Sequence, residues 1–163
     1  MTVKTDSQLG GDGLARYENT IEIRAPPEKV WEMLALDRWP EWMGPAELIS
    51  AKYTSEVVTP EDKYKVGASA HMVEKRWEYE LVITESVKNE RLSARSKGKY
   101  TYNATSTLKP VGEGTLLTGT VEYVLDSFFA RAIDRLLKGA AQKQMDKSSA
   151  LLKELVEKQM SQA

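Results

Sequence analysis

From Asp126 to about Gln159, apolar residues recur at helical spacing: Phe129, Ile133, Leu136, Leu137, Ala140, Ala141, Met145, Leu152, Leu155 and Val156. Steps of three and four residues bring such positions onto one stripe of a helix. Charged residues such as Arg135, Lys138, Lys147 and Glu154 fill the opposite face. At ~1.5 Å per residue the pattern predicts one helix roughly 50 Å long. Asp126 or Ser127 can cap its first turn with a side-chain oxygen. Gly139 interrupts the run and marks either a kink or the close approach of a strand or ligand, at a cost of about 1 kcal/mol relative to alanine. A helix of that length needs something broad to lie across.

Upstream the period changes from helical to two, the mark of half-buried strands. In Arg16 to Arg24, Tyr17, Asn19, Ile21 and Ile23 share one face, and the intervening charged and polar residues share the other. Ala25-Pro26-Pro27 ends this strand and starts a helix that runs to about Leu36, since proline is tolerated at a first helical position. Residues 37–43, with Trp39, Trp42 and Met43, read as a second short helix ending at Gly44-Pro45. Strands are then predicted over 46–55, with Ile49, Ala51 and Tyr53 on a common face, and over 67–75, 77–87, 91–97, 100–108 and 115–124. Residues 58–66 form a solvated loop or hairpin tip. Turns fall at Lys88-Asn89-Glu90, around Gly98, and at Pro110 to Gly114, where glycines suit positive φ. Short turns imply antiparallel neighbours. Strands with one dry face imply a single curved sheet covered on one side, and the C-terminal helix is the cover.

The chain has 163 residues, which fits one domain over 15–160 preceded by a polar, Gly-rich tail over 1–14, expected to be flexible. With a net charge of −1, a nucleic-acid binder relying on a basic surface is not expected. Cysteine is absent, which excludes disulfides and thiol chemistry. No apolar run reaches the ~20 residues of a membrane span. The reading is of a cytoplasmic protein.

The run Ala25-Pro26-Pro27-Glu28-Lys29-Val30-Trp31, followed by Asp37-Arg38-Trp39-Pro40-Glu41-Trp42, resembles the polyketide cyclase/dehydrase branch of the START-like, birch-pollen-allergen-like superfamily (SRPBCC). Glu85, Arg91-Leu92, Gly112-Glu113-Gly114-Thr115 and the C-terminal helix fall where that family has them, so the resemblance covers about residues 15–158. It implies an α+β helix-grip fold: a curved seven-stranded antiparallel sheet around the long helix, with two short helices between the first and second strands. It also implies a hydrophobic cavity between sheet and helix. Members bind lipids, sterols, polyketides or plant hormones, and some catalyse cyclisation or dehydration.

The inner face inferred from alternation carries Trp77, Tyr79, Leu81, Ile83, Tyr100, Tyr102, Val121 and Tyr123. A core built for stability alone would use aliphatic side chains, whereas buried tyrosines bring hydroxyls that need partners. Apolar walls with a few polar handles describe a ligand site. Phe129, Ile133, Leu136 and Leu137 would face it from the helix, and Trp39, Trp42 and Met43 would close its end. Phe128 or Phe129, if exposed at the entrance, would suit docking to a membrane or a protein partner. His71 is the one histidine, on a strand whose facing alternation leaves open, and Glu74 shares that ambiguity. Arg95 would polarise a ketone if it pointed inward, but Leu92, Ala94 and Ser96 fit the inner set better. The sequence lacks phosphate-loop, metal-cluster and dinucleotide motifs, so no cofactor is expected. Three functions follow: a binder or carrier of a hydrophobic small molecule or lipid, a cyclase/dehydratase-type enzyme, or a protein-interaction module with a vestigial cavity. A charged group facing the cavity would favour the second.

Overall fold

The computed structural model describes residues 6–9, 14–43, 48–75, 78–97, 102–124 and 128–162; of residues 6–9, 14, 124 and 128–138 it describes the backbone alone. The strands are β1 (Asp6–Leu9), β2 (Leu14–Ile23), β3 (Leu48–Tyr53), β4 (Ser69–Glu74), β5 (Glu78–Val87), β6 (Arg91–Lys97), β7 (Tyr102–Val111) and β8 (Gly114–Val124). The helices are α1 (Pro27–Met33), α2 (Trp39–Trp42) and α3 (Phe128–Ser161). Every strand pairing is antiparallel, in the order β1-β2-β8-β7-β6-β5-β4-β3. This is the helix-grip architecture. The seven expected strands are β2 to β8, and β1, from the segment read as a tail, adds an eighth beside β2.

Alternation holds closely along β2, where Ala15, Tyr17, Asn19, Ile21 and Ile23 are buried. It holds along β6 too: Leu92, Ala94 and Ser96 are buried and Arg95 is exposed. Along β3 it breaks. Ile49 was expected beside Ala51 and Tyr53, yet it is 59% exposed while Leu48 is 1% exposed. The register with β4 shifts between Leu48 and Ser50. An extra residue in one strand reverses the facing of everything beyond it.

Proline starts α1 as expected, with Pro26 extended and Pro27 inside the first turn. The end of α1 is tied to the lid formed by α2. The Trp39 indole donates to the Leu34 carbonyl at 3.0 Å, and the Trp42 indole donates to the Met33 carbonyl at 2.8 Å. Carbonyls at a helix C-terminus lack intrahelical donors, and here tryptophan side chains supply them. Tyr53 fastens the same region: its hydroxyl accepts from the Leu36 N–H and donates to the Lys63 carbonyl. The 58–66 segment contains a 3₁₀ turn, Pro60–Lys63, closed by a reciprocal capping box between Thr59 and Asp62. At the β7–β8 turn Gly112 has φ +59, and a Cβ on Gly114 would lie 2.7 Å from the Ile23 carbonyl oxygen. Both positions therefore require glycine.

The helix α3 is continuous over 34 residues. Gly139 is exposed, and among the described residues no strand comes within 4 Å of a Cβ built there. Leu152 and Val156 bury the helix against the core. A polar cluster adds to this. Asp146 accepts from Asn19 at 2.6 Å and from Gln142 at 3.0 Å, and Gln142 also reaches the Glu18 carbonyl. Asp126 and Ser127, the expected caps, lie outside the described residues.

Candidate functional site

Between the inner face of the sheet, the α2 lid and α3 lies a hollow of about 280 Å³. Its apolar wall comes from Leu92 and Ala94 on β6, Leu117 and Val121 on β8, and Met145 and Leu152 on α3. Trp39, Trp42 and Met43 close the lid end, together with Leu34 and Leu48. Gln144 ties α3 to the lid by donating to the Met43 carbonyl at 3.2 Å. Small residues, among them Ala104, Gly119 and Ala141, leave the space open.

Tyrosines crowd one part of the wall. The rings of Tyr102 and Tyr123 lie 5.2 Å apart, Tyr17 and Tyr123 are 6.3 Å apart, and Tyr79 and Tyr102 are 6.4 Å apart. Adjacent strands in register produce this row, since Tyr102 pairs with Tyr123 across β7 and β8. The carboxyl of Glu74 belongs to the same lining, and the Tyr79 hydroxyl donates to its Oε1 at 2.7 Å. Burial raises the pKa of Tyr79 well above the ordinary tyrosine value, helped by neighbouring Tyr102 and by the negative charge of Glu74. Burial does the same to Tyr102, with Tyr123 and Glu74 adding to it. Both phenols therefore stay protonated well beyond neutral pH. The arrangement offers apolar contact, aromatic faces and one carboxyl group.

The predicted site residues are distributed as follows. Tyr102, Val121, Tyr123, Trp39, Trp42 and Met43 border the hollow. Tyr79 stands at its edge through Tyr102 and Glu74. Leu81 and Ile83 share the inner face of the sheet but sit in the packed core, 0% and 1% exposed. Trp77 and Tyr100 lie outside the described residues. Phe129, Ile133, Leu136 and Leu137 belong to the part of α3 for which the backbone alone is described, and Phe128 with them. His71 turns away from the interior and meets Glu78 at 3.2 Å, between buried Ala70 and Met72 on its own strand. Arg95 likewise faces outward.

Sequence reasoning left Glu74 unassigned. Its signal was the set Ala68, Ala70 and Met72, which are buried and place Glu74 on the same side two residues on. Met145 and Gln144 were also missed as wall residues; Gln144, three residues after Ala141, falls on the side of the apolar stripe but is polar. Among the described residues no cluster of His, Cys, Asp and Glu suits a metal ion, and no helix is long and apolar enough to cross a membrane.

Comparisons with known structures agree with this architecture. A protein from Nitrosomonas europaea aligns with a TM-score of 0.70 at 12% identity, over 94% of this chain and 99% of that one. A protein from Thermus thermophilus aligns with a TM-score of 0.65 at 21% identity, over 86% of this chain and 96% of that one. Norcoclaurine synthase from Thalictrum flavum aligns with a TM-score of 0.63 at 13% identity, over 94% of this chain and 88% of that one. At such identities the likeness is one of fold. The comparison with curated proteins found no match. The family described as polyketide cyclase / dehydrase and lipid transport matches residues 15–157, nearly the whole chain, and the protein belongs to that family.

Proposed function

We propose that this protein binds one small hydrophobic molecule in the hollow between the sheet, the α2 lid and α3. The observation that carries the reading is the hollow itself: about 280 Å³, apolar on most of its wall, with tyrosines and Glu74 gathered in one region. Ligand sites in proteins typically have this composition and occupy ~300–1,000 Å³. At about 280 Å³ the volume lies just below that range, which favours a single-chain or compact aromatic molecule over a lipid with two acyl chains. Binding would be driven by apolar burial at ~25 cal/mol per Å².

Native mass spectrometry of the freshly purified protein, followed by titration with the neutral dye Nile red, tests the reading. Expected is either a retained apolar mass or saturable one-to-one dye uptake that decanol displaces. Replacing Ala104 with Trp fills the hollow and should abolish that uptake. A clean apo mass combined with no saturable uptake by the parent protein overturns the proposal.

One observation favours a second reading, catalysis of cyclase or dehydratase type. Glu74 and Tyr79 form a hydrogen-bonded acid–base pair at the wall, and proton transfer by positioned side chains is the chemistry such reactions need. Turnover of a poly-keto substrate that is lost on Glu74→Gln would establish it.

A further inference from the structure

We propose that Tyr102 is the polar anchor of the hollow, and that the ligand carries an uncharged acceptor oxygen, of the carbonyl or ester class, for its hydroxyl. This rests on the reading of the hollow as a binding site and adds the chemistry that orients a ligand there. Tyr102 stands on the inward face of β7 with Ala104 and borders the hollow beside Tyr123. Its backbone N–H donates to the Ser96 Oγ at 2.9 Å. Its phenol makes no hydrogen bond to any group among the described residues, and the oxygen is not walled in by protein atoms.

Other tyrosines in the fold spend their protons on the protein. Tyr79 donates to Glu74, Tyr53 to the Lys63 carbonyl and Tyr64 to the Glu32 carbonyl. Buried tyrosine hydroxyls usually find such a partner. A serine of the wall can turn back on its own helix, as Ser148 does onto the Gln144 carbonyl at 3.0 Å. A tyrosine carries its hydroxyl at the far end of a rigid ring, so the partner of Tyr102 has to come from the space in front of it. Burial, with Tyr123 and Glu74 adding to it, keeps this phenol protonated, so it has a proton to donate. An uncharged oxygen matches one donor in an apolar wall. A charged head does not, because stripping its water costs more than a single hydrogen bond returns.

The test uses butyrophenone and butylbenzene, which share a shape and differ in the carbonyl oxygen, each read by displacement of bound Nile red. An alkylbenzene leaves water more readily than a ketone, so the comparison is made between proteins rather than between compounds. Tyr102→Phe removes the hydroxyl and keeps the ring. It is expected to weaken butyrophenone about fivefold and not to weaken butylbenzene. Equal losses for both compounds, or no loss for either, overturn the proposal while the hollow still stands as a binding site. The carbonyl stretch of bound butyrophenone gives a second readout that needs no variant to fold. It should lie at lower frequency in the unmodified protein than in cyclohexane, and an unshifted band overturns the proposal. Failure of butyrophenone to displace bound Nile red overturns it too. If Nile red itself fails to bind, the reading of the hollow falls first and this proposal follows it.

Discussion

Two stretches of β5, four residues apart, show two different uses of one sheet face. Ile83 is 1% exposed and Leu81 0%, in an aliphatic core shared with Met33, Leu36 and Met72. Tyr79 points to the same side but ends in a hydrogen bond to Glu74 beside other tyrosines. At the first place side chains touch on every side. At the second, small residues on the facing strands and helix leave room, and Tyr79 meets Glu74 along the wall. The difference teaches that a helix-grip interior is not uniformly hollow: the aliphatic end is built for stability and the tyrosine end keeps open space.

The sharpest way to break that distinction is a pair of truncations. Leu81→Ala should cost about 2–5 kcal/mol, because a fully packed site cannot collapse around the lost atoms. Val121→Ala, at the wall of the existing hollow, should cost about 1 kcal/mol, mostly lost transfer energy. Urea unfolding measures both, and equal losses would mean that the hollow is filled in solution.

Alkaline titration sharpens the comparison next. The pKa of Tyr64 is pushed up to about 12, chiefly by burial, and burial also raises those of Tyr53, Tyr79 and Tyr102. In the unfolded chain they ionise near pH ~10. The folded state then holds more protons than the unfolded one, so stability is intact below about pH 10 and declines as pH rises toward the folded values. Tyrosinate absorbance at about pH 11 should therefore show at least four of the seven tyrosines still protonated until the protein unfolds. Smooth ionisation of all seven around the ordinary value would contradict the burial of Tyr53, Tyr64, Tyr79 and Tyr102.

The smallest effect belongs outside both regions. Glu157 accepts from Lys153 at 2.6 Å and from the Arg24 N–H at 2.9 Å. Burial pushes its carboxyl pKa up, but these hydrogen bonds outweigh that and lower it overall. Its contribution is present above the ordinary carboxylate range and is lost as pH falls through its lowered value. Glu157→Gln should cost no more than about 1 kcal/mol near neutral pH, measured by the same urea curves.

Much of this fold could be read from the chain. Alternation in β2 and β6, the proline start of α1 and the Leu152 and Val156 part of the α3 stripe follow from local signals, which survive tertiary context when one face is buried, whereas Ala140 of the same expected stripe is exposed. What escaped did so for physical reasons. Ile49 was misplaced because a bulge is a one-residue register event with no side-chain signature. The strand at Asp6–Leu9 is too short and polar to carry a period. The split between wall and core within Tyr79, Leu81 and Ile83 depends on how much volume the opposite elements supply, and alternation reports direction only. Glu74 was legible in principle, since three buried neighbours at even spacing point it inward.

The two borders of the sheet have a consequence for how the protein behaves in company. A strand at the end of a sheet is a template on which another molecule can add its own strand. Here one border is β1, four residues long and mostly polar. The other is β3, six residues long, interrupted by a bulge and carrying exposed Lys52. Short length, a break in register and a lysine each discourage strand addition. Both ends of the sheet are thus poor starting points for edge-to-edge polymerisation, and removing Asp6–Leu9 would replace one of them with β2, ten residues of regular strand.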